Sequence, residues 1–152
     1  MNSSKPQVAL NSLSKDHDES LKFCSRIRNG LSNKVKPERI RSYTDWFKKN
    51  YLERHFETEE NLIFPVLGKN VRVKRAIANH RRIRKLLSCG CENEKVLHLL
   101  EEELSRYIRF EERTLYAEIK KLATAEQLFE FEKLHQNLHL PEEQWKDKFW
   151  LE

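Results

Sequence analysis

A histidine and a carboxylate stand four residues apart in the stretch His55-Phe56-Glu57-Thr58-Glu59-Glu60-Asn61-Leu62-Ile63-Phe64-Pro65. On a helix such residues project from one face and offer two donor atoms to the same point in space. A weaker copy lies downstream, Tyr107-Ile108-Arg109-Phe110-Glu111-Glu112-Arg113-Thr114-Leu115-Tyr116, which repeats the Glu-Glu pair and the aliphatic-aromatic pair with tyrosine in the histidine's place. Imidazole and carboxylate donors that converge from facing helices hold metal ions, and this mixture suits iron or manganese.

The elements that must position these donors follow from apolar periodicity. Residues 1–12 are polar and aperiodic and are read as a flexible arm. Ser14 is a suitable N-cap for a first helix, with Asp16 and Asp18 in its first turn, and the inward stripe reads Leu13, His17, Leu21, Cys24, Ile27, Leu31. Pro37 suits the first turn of a long second helix whose stripe is Tyr43, Phe47, Tyr51, His55, Glu59, Leu62, Val66, with Gly68 as its stop. A third helix, about 71–87, carries Val73, Ile77, His80, Ile83 and Leu87 on one side. The fourth, about 94–122, presents Val96, Leu100, Leu104, Tyr107, Glu111, Leu115, Ile119 and Leu122. Thr124 with Gln127 forms a capping box for a short fifth helix, and Trp145, Phe149 and Trp150 in the tail are expected to pack back on the bundle.

These elements predict an all-α protein, an antiparallel up-down four-helix bundle over 13–122, followed by a C-terminal helix and aromatic tail over 123–152. In such a bundle, side chains equally far from a shared turn meet at one level. Counted from Gly68, His55 is 13 residues back, Glu59 is 9 back and His80 is 12 forward. Each of the four helices therefore places a donor on its inward stripe: His17; His55 and Glu59; His80; Tyr107 and Glu111. Taken singly, each has a bland reading: a histidine on an apolar face is more often a hydrogen-bonded core residue, a glutamate can pair with an arginine, and a tyrosine simply packs. Their coincidence points to a metal, because buried carboxylates at one level repel unless a cation joins them. His135 and His139 share the four-residue spacing but have no carboxylate partner, and His98 is off the level, so both sets are read as packing residues.

Composition limits the alternatives. The chain has 152 residues, enough for one core, and only 3 Gly and 4 Pro, which argues against sandwiches and barrels. No apolar run approaches the roughly 20 residues that span a bilayer, and a signal peptide pattern is lacking, so a cytoplasmic protein without membrane association is expected. Cys24, Cys89 and Cys91 are an odd number, and C-x-C is too tight for easy pairing within a helical turn, so reduced thiols are expected. Net charge is +5, with Lys69, Arg72, Lys74, Arg75, Arg81, Arg82, Arg84 and Lys85 forming a basic stripe. Glu101, Glu102 and Glu103 could balance it, and nucleic acid is not the expected partner.

Leu13-Ser14-Lys15-Asp16-His17, the His55 to Pro65 motif, Asn79-His80-Arg81-Arg82 and Arg109-Phe110-Glu111-Glu112-Arg113 together resemble the hemerythrin-like, or HHE cation-binding, domain, over roughly residues 13–120. The resemblance implies a bundle around a non-haem di-iron centre bridged by two carboxylates, with His17, His55, Glu59, His80 and Glu111 as ligands and about two irons per chain, manganese or zinc being alternatives. Tyr107 departs from the pattern, since the family has histidine there. The third helix also lacks the second histidine of oxygen carriers, for Ala76 and Arg84 occupy the positions four residues from His80. A phenolate favours Fe(III), which directs the resemblance away from reversible oxygen carriage and towards binding, sensing or turnover of O2, NO or peroxide, or iron handling. Tyr107 is thus a sixth candidate ligand or, alternatively, a protonated phenol outside the ligand set that hydrogen-bonds a bound ligand; no separate catalytic residue is assigned, and the competing reading is a helical interaction module with a degenerate site and a basic partner-binding face.

Overall fold

The computed structural model describes residues 11–89, 94–136 and 138–152, and these are all-helical, with no strand among them. Helix α1 (Asn11–Ser32) is followed by α2, a continuous helical run over 37–67. Within α2, α-helical Pro37–Phe47 and Glu53–Thr58 alternate with π turns at Lys48–Leu52 and Glu59–Ile63, and a 3₁₀ turn, Phe64–Leu67, closes the run. Helix α3 is Val71–Ser88. Helix α4 spans 94–122, α-helical at Glu94–Phe110 and Tyr116–Leu122 with a π turn at Glu111–Leu115 between them. Helix α5 is Ala125–Gln136, and two short 3₁₀ turns, Glu142–Gln144 and Phe149–Leu151, shape the tail.

Local chemistry explains most of the boundaries. Pro37 opens α2 where its missing N–H has no partner to lose, and Gly68, at φ 61°, supplies the positive dihedral that ends it. Asn70 caps α3 by accepting the Arg72 amide at 2.7 Å. Thr124 and Gln127 exchange the two hydrogen bonds of a capping box at 2.9 and 3.1 Å. At the other end of α3, buried Arg41 donates from Nη2 to the carbonyls of Leu86 and Leu87, at 3.1 and 2.8 Å, and to that of Cys89. This side chain from α2 serves the orphan carbonyls of a neighbouring helix and ties the two together.

Several sequence expectations change, and one of them is the inward stripe of α4, which does not extend to Leu122, 58% exposed. Helix is already under way at Asn11, so Ser14 lies inside α1 and not at its cap; residues 1–10 of the expected arm lie outside the described residues. The inward stripe of α2 does not pass through Leu62, which is 47% exposed; it moves to Ile63, which is fully buried. The π turn at Glu59–Ile63 inserts one residue, and each residue turns the helix by about 100°. Finally, Cys89 is disulfide-bonded. It follows the last turn of α3 in extended backbone, φ −64° and ψ 119°, which removes the helical-turn objection to such a bond. The expected turn at residues 89–91 lies, from 90 on, outside the described residues.

Helix α1 packs along α4 and against α5 and the last turn of the tail, and α3 packs along α4. One half of the core is aromatic. Phe23 and Phe47 stack at 4.0 Å, and Tyr43 meets Trp145, Phe149 and Trp150 at 5.2–5.5 Å. Phe149 is fully buried, as expected of a tail that packs back, and it sits against the bare Cα of Gly30. A Cβ at Gly30 would lie 2.7 Å from the Phe149 ring and 3.1 Å from Ile40. Gly30→Ala should therefore lower stability by about 1–3 kcal/mol although alanine is the better helix former. Urea unfolding followed by tryptophan fluorescence checks this, and in a Phe149→Ala background, where the ring is gone, the alanine should become neutral or stabilising.

Candidate metal centre

Where the aromatic half of the bundle ends, four helices bring ionisable groups together. His17, His55, Glu59, His80 and Glu111 are each no more than 2% exposed. One donor atom from each of His17, His55, Glu59 and Glu111 lies within 4.8 Å of every other, a group able to enclose one cation. Glu59 stands at the middle. Its Oε2 is 3.3 Å from His55 Nε2, while its Oε1 is 3.0 Å from His80 Nε2 and 3.3 Å from the Tyr107 hydroxyl. Glu111 Oε1 is 3.0 Å from His17 Nε2. Of the six candidate donors, four thus converge on one point, and His80 with Tyr107 stands on the far side of Glu59.

The two copies of the motif fold alike. Each π turn begins at the inward carboxylate: the Phe64 amide donates to the Glu59 carbonyl and the Tyr116 amide to that of Glu111. The extra residue swings the aromatic five positions on towards the site. Phe64 comes to 5.6 Å from the His80 ring. Tyr116 stacks on His17 at 5.0 Å, with its hydroxyl 2.8 Å from His17 Nε2 and 3.4 Å from Glu59 Oε2. Straight helical periodicity does not bring Tyr116 here, which is why sequence reasoning missed it.

The second glutamate of each pair also has a task. Glu60 accepts from His80 Nδ1 at 2.6 Å, and Glu112 stands 3.3 Å from His17 Nδ1. A carboxylate on the outer nitrogen fixes the tautomer and points Nε2 inward, as around metal-bound histidines. Arg84 in turn donates to Glu60 and to Glu53, each at 2.7 Å. The Glu-Glu doublets were visible in the sequence, and their second members were the available signal for this outer layer.

Electrostatics mark the centre as unbalanced. Burial opposes the charge of Glu59, yet the adjacent His55 and hydrogen bonds from Glu111, His55 and His80 hold it well below the usual carboxylate range. Burial, then the charge of Glu59, pushes Glu111 well above that range. Glu111 Oε2 is buried and has no hydrogen-bond donor among the described residues. Burial and the charges of Glu111 and Glu59 push the Tyr107 phenol well up. An orphaned carboxylate oxygen facing a second carboxylate is what a divalent cation would relieve, so the residues present fit a metal ion.

The comparisons with known proteins bear on the same residues. A family model described as the hemerythrin HHE cation binding domain matches residues 8–89, more than half of the chain. The chain belongs to the hemerythrin HHE cation-binding family. The match covers His17, His55, Glu59 and His80 and stops before α4, so the contribution of Glu111 to this hemerythrin-family centre is read from the fold. No curated protein and no solved structure matches.

The basic stripe of the competing reading is partly spent on the bundle. Arg72 pairs with Glu118, Arg82 with Glu103 at 3.0 Å, Arg84 with Glu53 and Glu60, and Arg75 lies over the Phe110 ring at 4.3 Å.

A carboxyl group whose folded pKa is raised favours folding below its unfolded pKa and loses that contribution as pH rises through the folded value. Glu111 therefore weakens the metal-free protein at neutral pH. Glu111→Gln should stabilise the metal-free protein at pH 7 by on the order of 1–2 kcal/mol, a Tm rise of roughly 2–8 °C. The difference should vanish near pH 4, where Glu111 is protonated whether folded or not. Calorimetry of both proteins across this range measures it.

Proposed function

We propose that this hemerythrin-family chain is a non-haem iron protein, an antiparallel up-down bundle that binds or senses a small oxidant such as O2, NO or peroxide, within the cytoplasm. The observation that carries the reading is the convergence of His17, His55, Glu59 and Glu111 on one buried point. The ligands this supports are these four; the two-ion centre that the family resemblance implies would add His80 and Tyr107, which stand beside Glu59.

When bound, iron supplies Lewis acidity and one-electron chemistry that no side chain of this set provides alone. The chain's own groups do the rest. Glu60 holds the outer nitrogen of His80 and Glu112 stands 3.3 Å from that of His17, while Nε2 of each faces the centre. The Tyr116 hydroxyl, between His17 and Glu59, is placed to donate to a small ligand beside them. The apolar walls exclude bulk water, which strengthens every charge interaction inside. The assigned ligands are at most 2% exposed, so the centre is closed to bulky molecules unless the bundle opens. This favours diatomic ligands and peroxide over organic substrates. No helix among the described residues is long and apolar enough to cross a membrane.

Iron at a hundredfold excess over its Kd should stabilise the fold by about 2.7 kcal/mol. That corresponds to a Tm rise of roughly 5–11 °C. Glu59→Ala should fold, judged by circular dichroism, and lose this rise. Equal melting temperatures for metal-free and iron-treated wild type would refute the reading. Hydrogen peroxide turnover above that of free iron, absent in Glu59→Ala, would extend it to an enzyme.

A further inference from the structure

The two sides of Glu59 are not equivalent. On one side two imidazoles, His17 and His55, stand with both carboxylates. On the other, His80 is the sole imidazole among the described residues, and its inward nitrogen is already engaged: the Tyr107 hydroxyl lies 2.5 Å from His80 Nε2. Neighbouring donors around an ion with bonds of about 2.1 Å are spaced by roughly 3 Å or more. At 2.5 Å, imidazole and phenol are bonded to each other and not spread around a shared ion.

The pair is held in place from every direction. Glu60 accepts from His80 Nδ1 at 2.6 Å, and the Tyr107 hydroxyl, bonded to His80 Nε2, donates on to Glu59 Oε1 at 3.3 Å. Arg84 anchors Glu60. Phe56 stacks on the His80 ring at 3.8 Å and meets the Tyr107 ring edge-on at 6.1 Å, and Phe64 closes from the other side. The result is a chain of hydrogen bonds from Arg84 through Glu60 and His80 to Tyr107 and Glu59, walled by phenyl rings. His17 is held less tightly on its outer nitrogen, where Glu112 is 3.3 Å away and 42% exposed. Its inward contact to Tyr116, at 2.8 Å, is also longer than that of His80.

We propose that the centre takes one cation per chain, at His17, His55, Glu59 and Glu111, and that Tyr107, hydrogen-bonded to His80, closes the position on the far side of Glu59. This rests on the metal-binding reading above and replaces its two-ion stoichiometry with a mononuclear site. His80 becomes a positioning residue, which orients Glu59 from behind through its 3.0 Å contact.

The test is ion stoichiometry. Metal-free protein is titrated with Co(II), and separately with Fe(II) under anaerobic conditions, by calorimetry, and bound metal is counted by elemental analysis after desalting. Wild type should bind one ion per chain. His55→Ala should weaken that ion at least a hundredfold, His80→Gln should still bind one ion with affinity changed only severalfold, and Tyr107→His should bind two. Circular dichroism verifies that each variant is folded, and the wild-type count stands if one is not. Two ions of comparable affinity in wild type would overturn the proposal while leaving the metal reading intact. So would loss of the single ion in His80→Gln, and a Tyr107→His protein that stays at one ion would overturn the part assigned to Tyr107. A folded wild type that binds no ion would overturn the metal reading itself.

Discussion

Two carboxylates enclosed in the apolar interior of a helical bundle are the constraint to which the rest of this molecule answers. Glu59 and Glu111 have no exposure at all, so two negative charges there would repel without screening by water. The surrounding residues mitigate this in layers. Histidines from α1, α2 and α3 face the carboxylates, tyrosines from α4 lie between them, and the outer glutamates and Arg84 fix those histidines from behind. Even so, one oxygen of Glu111 is left without a donor. Hydrophobic residues of similar size would make a more stable core. A chain that keeps this arrangement trades folding stability for a place to hold a cation.

How the backbone meets that constraint is instructive. A regular α-helix presents one residue in every 3.6 to the core, so His55 and Glu59 share a face but the next aromatic, Phe64, would fall away. The π turn starting at each carboxylate brings the residue five positions later back towards the site. One insertion thus recruits Phe64 on α2 and Tyr116 on α4 by the same device. The irregularity is confined to the places where function asks for it, as π turns commonly are.

Much of this could be read from the chain before any coordinates. Among the described residues, helix order followed from apolar spacing, Pro37, Gly68 and the Thr124 to Gln127 box, because those signals act within a few residues. The inward histidines and glutamates were visible because burying them goes against their chemistry. What escaped was whatever depended on a change of helical period: Tyr116 in the site, and Ile63 in place of Leu62 in the core. No residue type announces a π turn, since its cost is repaid by packing between helices and not by local preference. The outer layer of Glu60, Glu112 and Arg84 was missed for a different reason. These residues sit on surface-facing positions of their helices, and only the distance across to α1 or α3 shows what they do.

The asymmetry across Glu59 follows from a single substitution in the repeat. Had both copies carried histidine before the carboxylate, α2 and α4 would each supply an imidazole, and the two sides would match. Tyrosine at 107 instead brings a hydroxyl that bonds to His80 Nε2 and donates to Glu59. The phenol ring also needs apolar surroundings, which Phe56 and Phe110 provide. Glu60 holds the outer nitrogen of His80, and Arg84 in turn pairs with Glu60. A change of one donor type therefore propagates through three helices, converting what could be a ligand set into a braced wall behind Glu59. The same wall fixes the direction in which Glu59 presents its other oxygen, towards His55 and the side where the remaining donors gather.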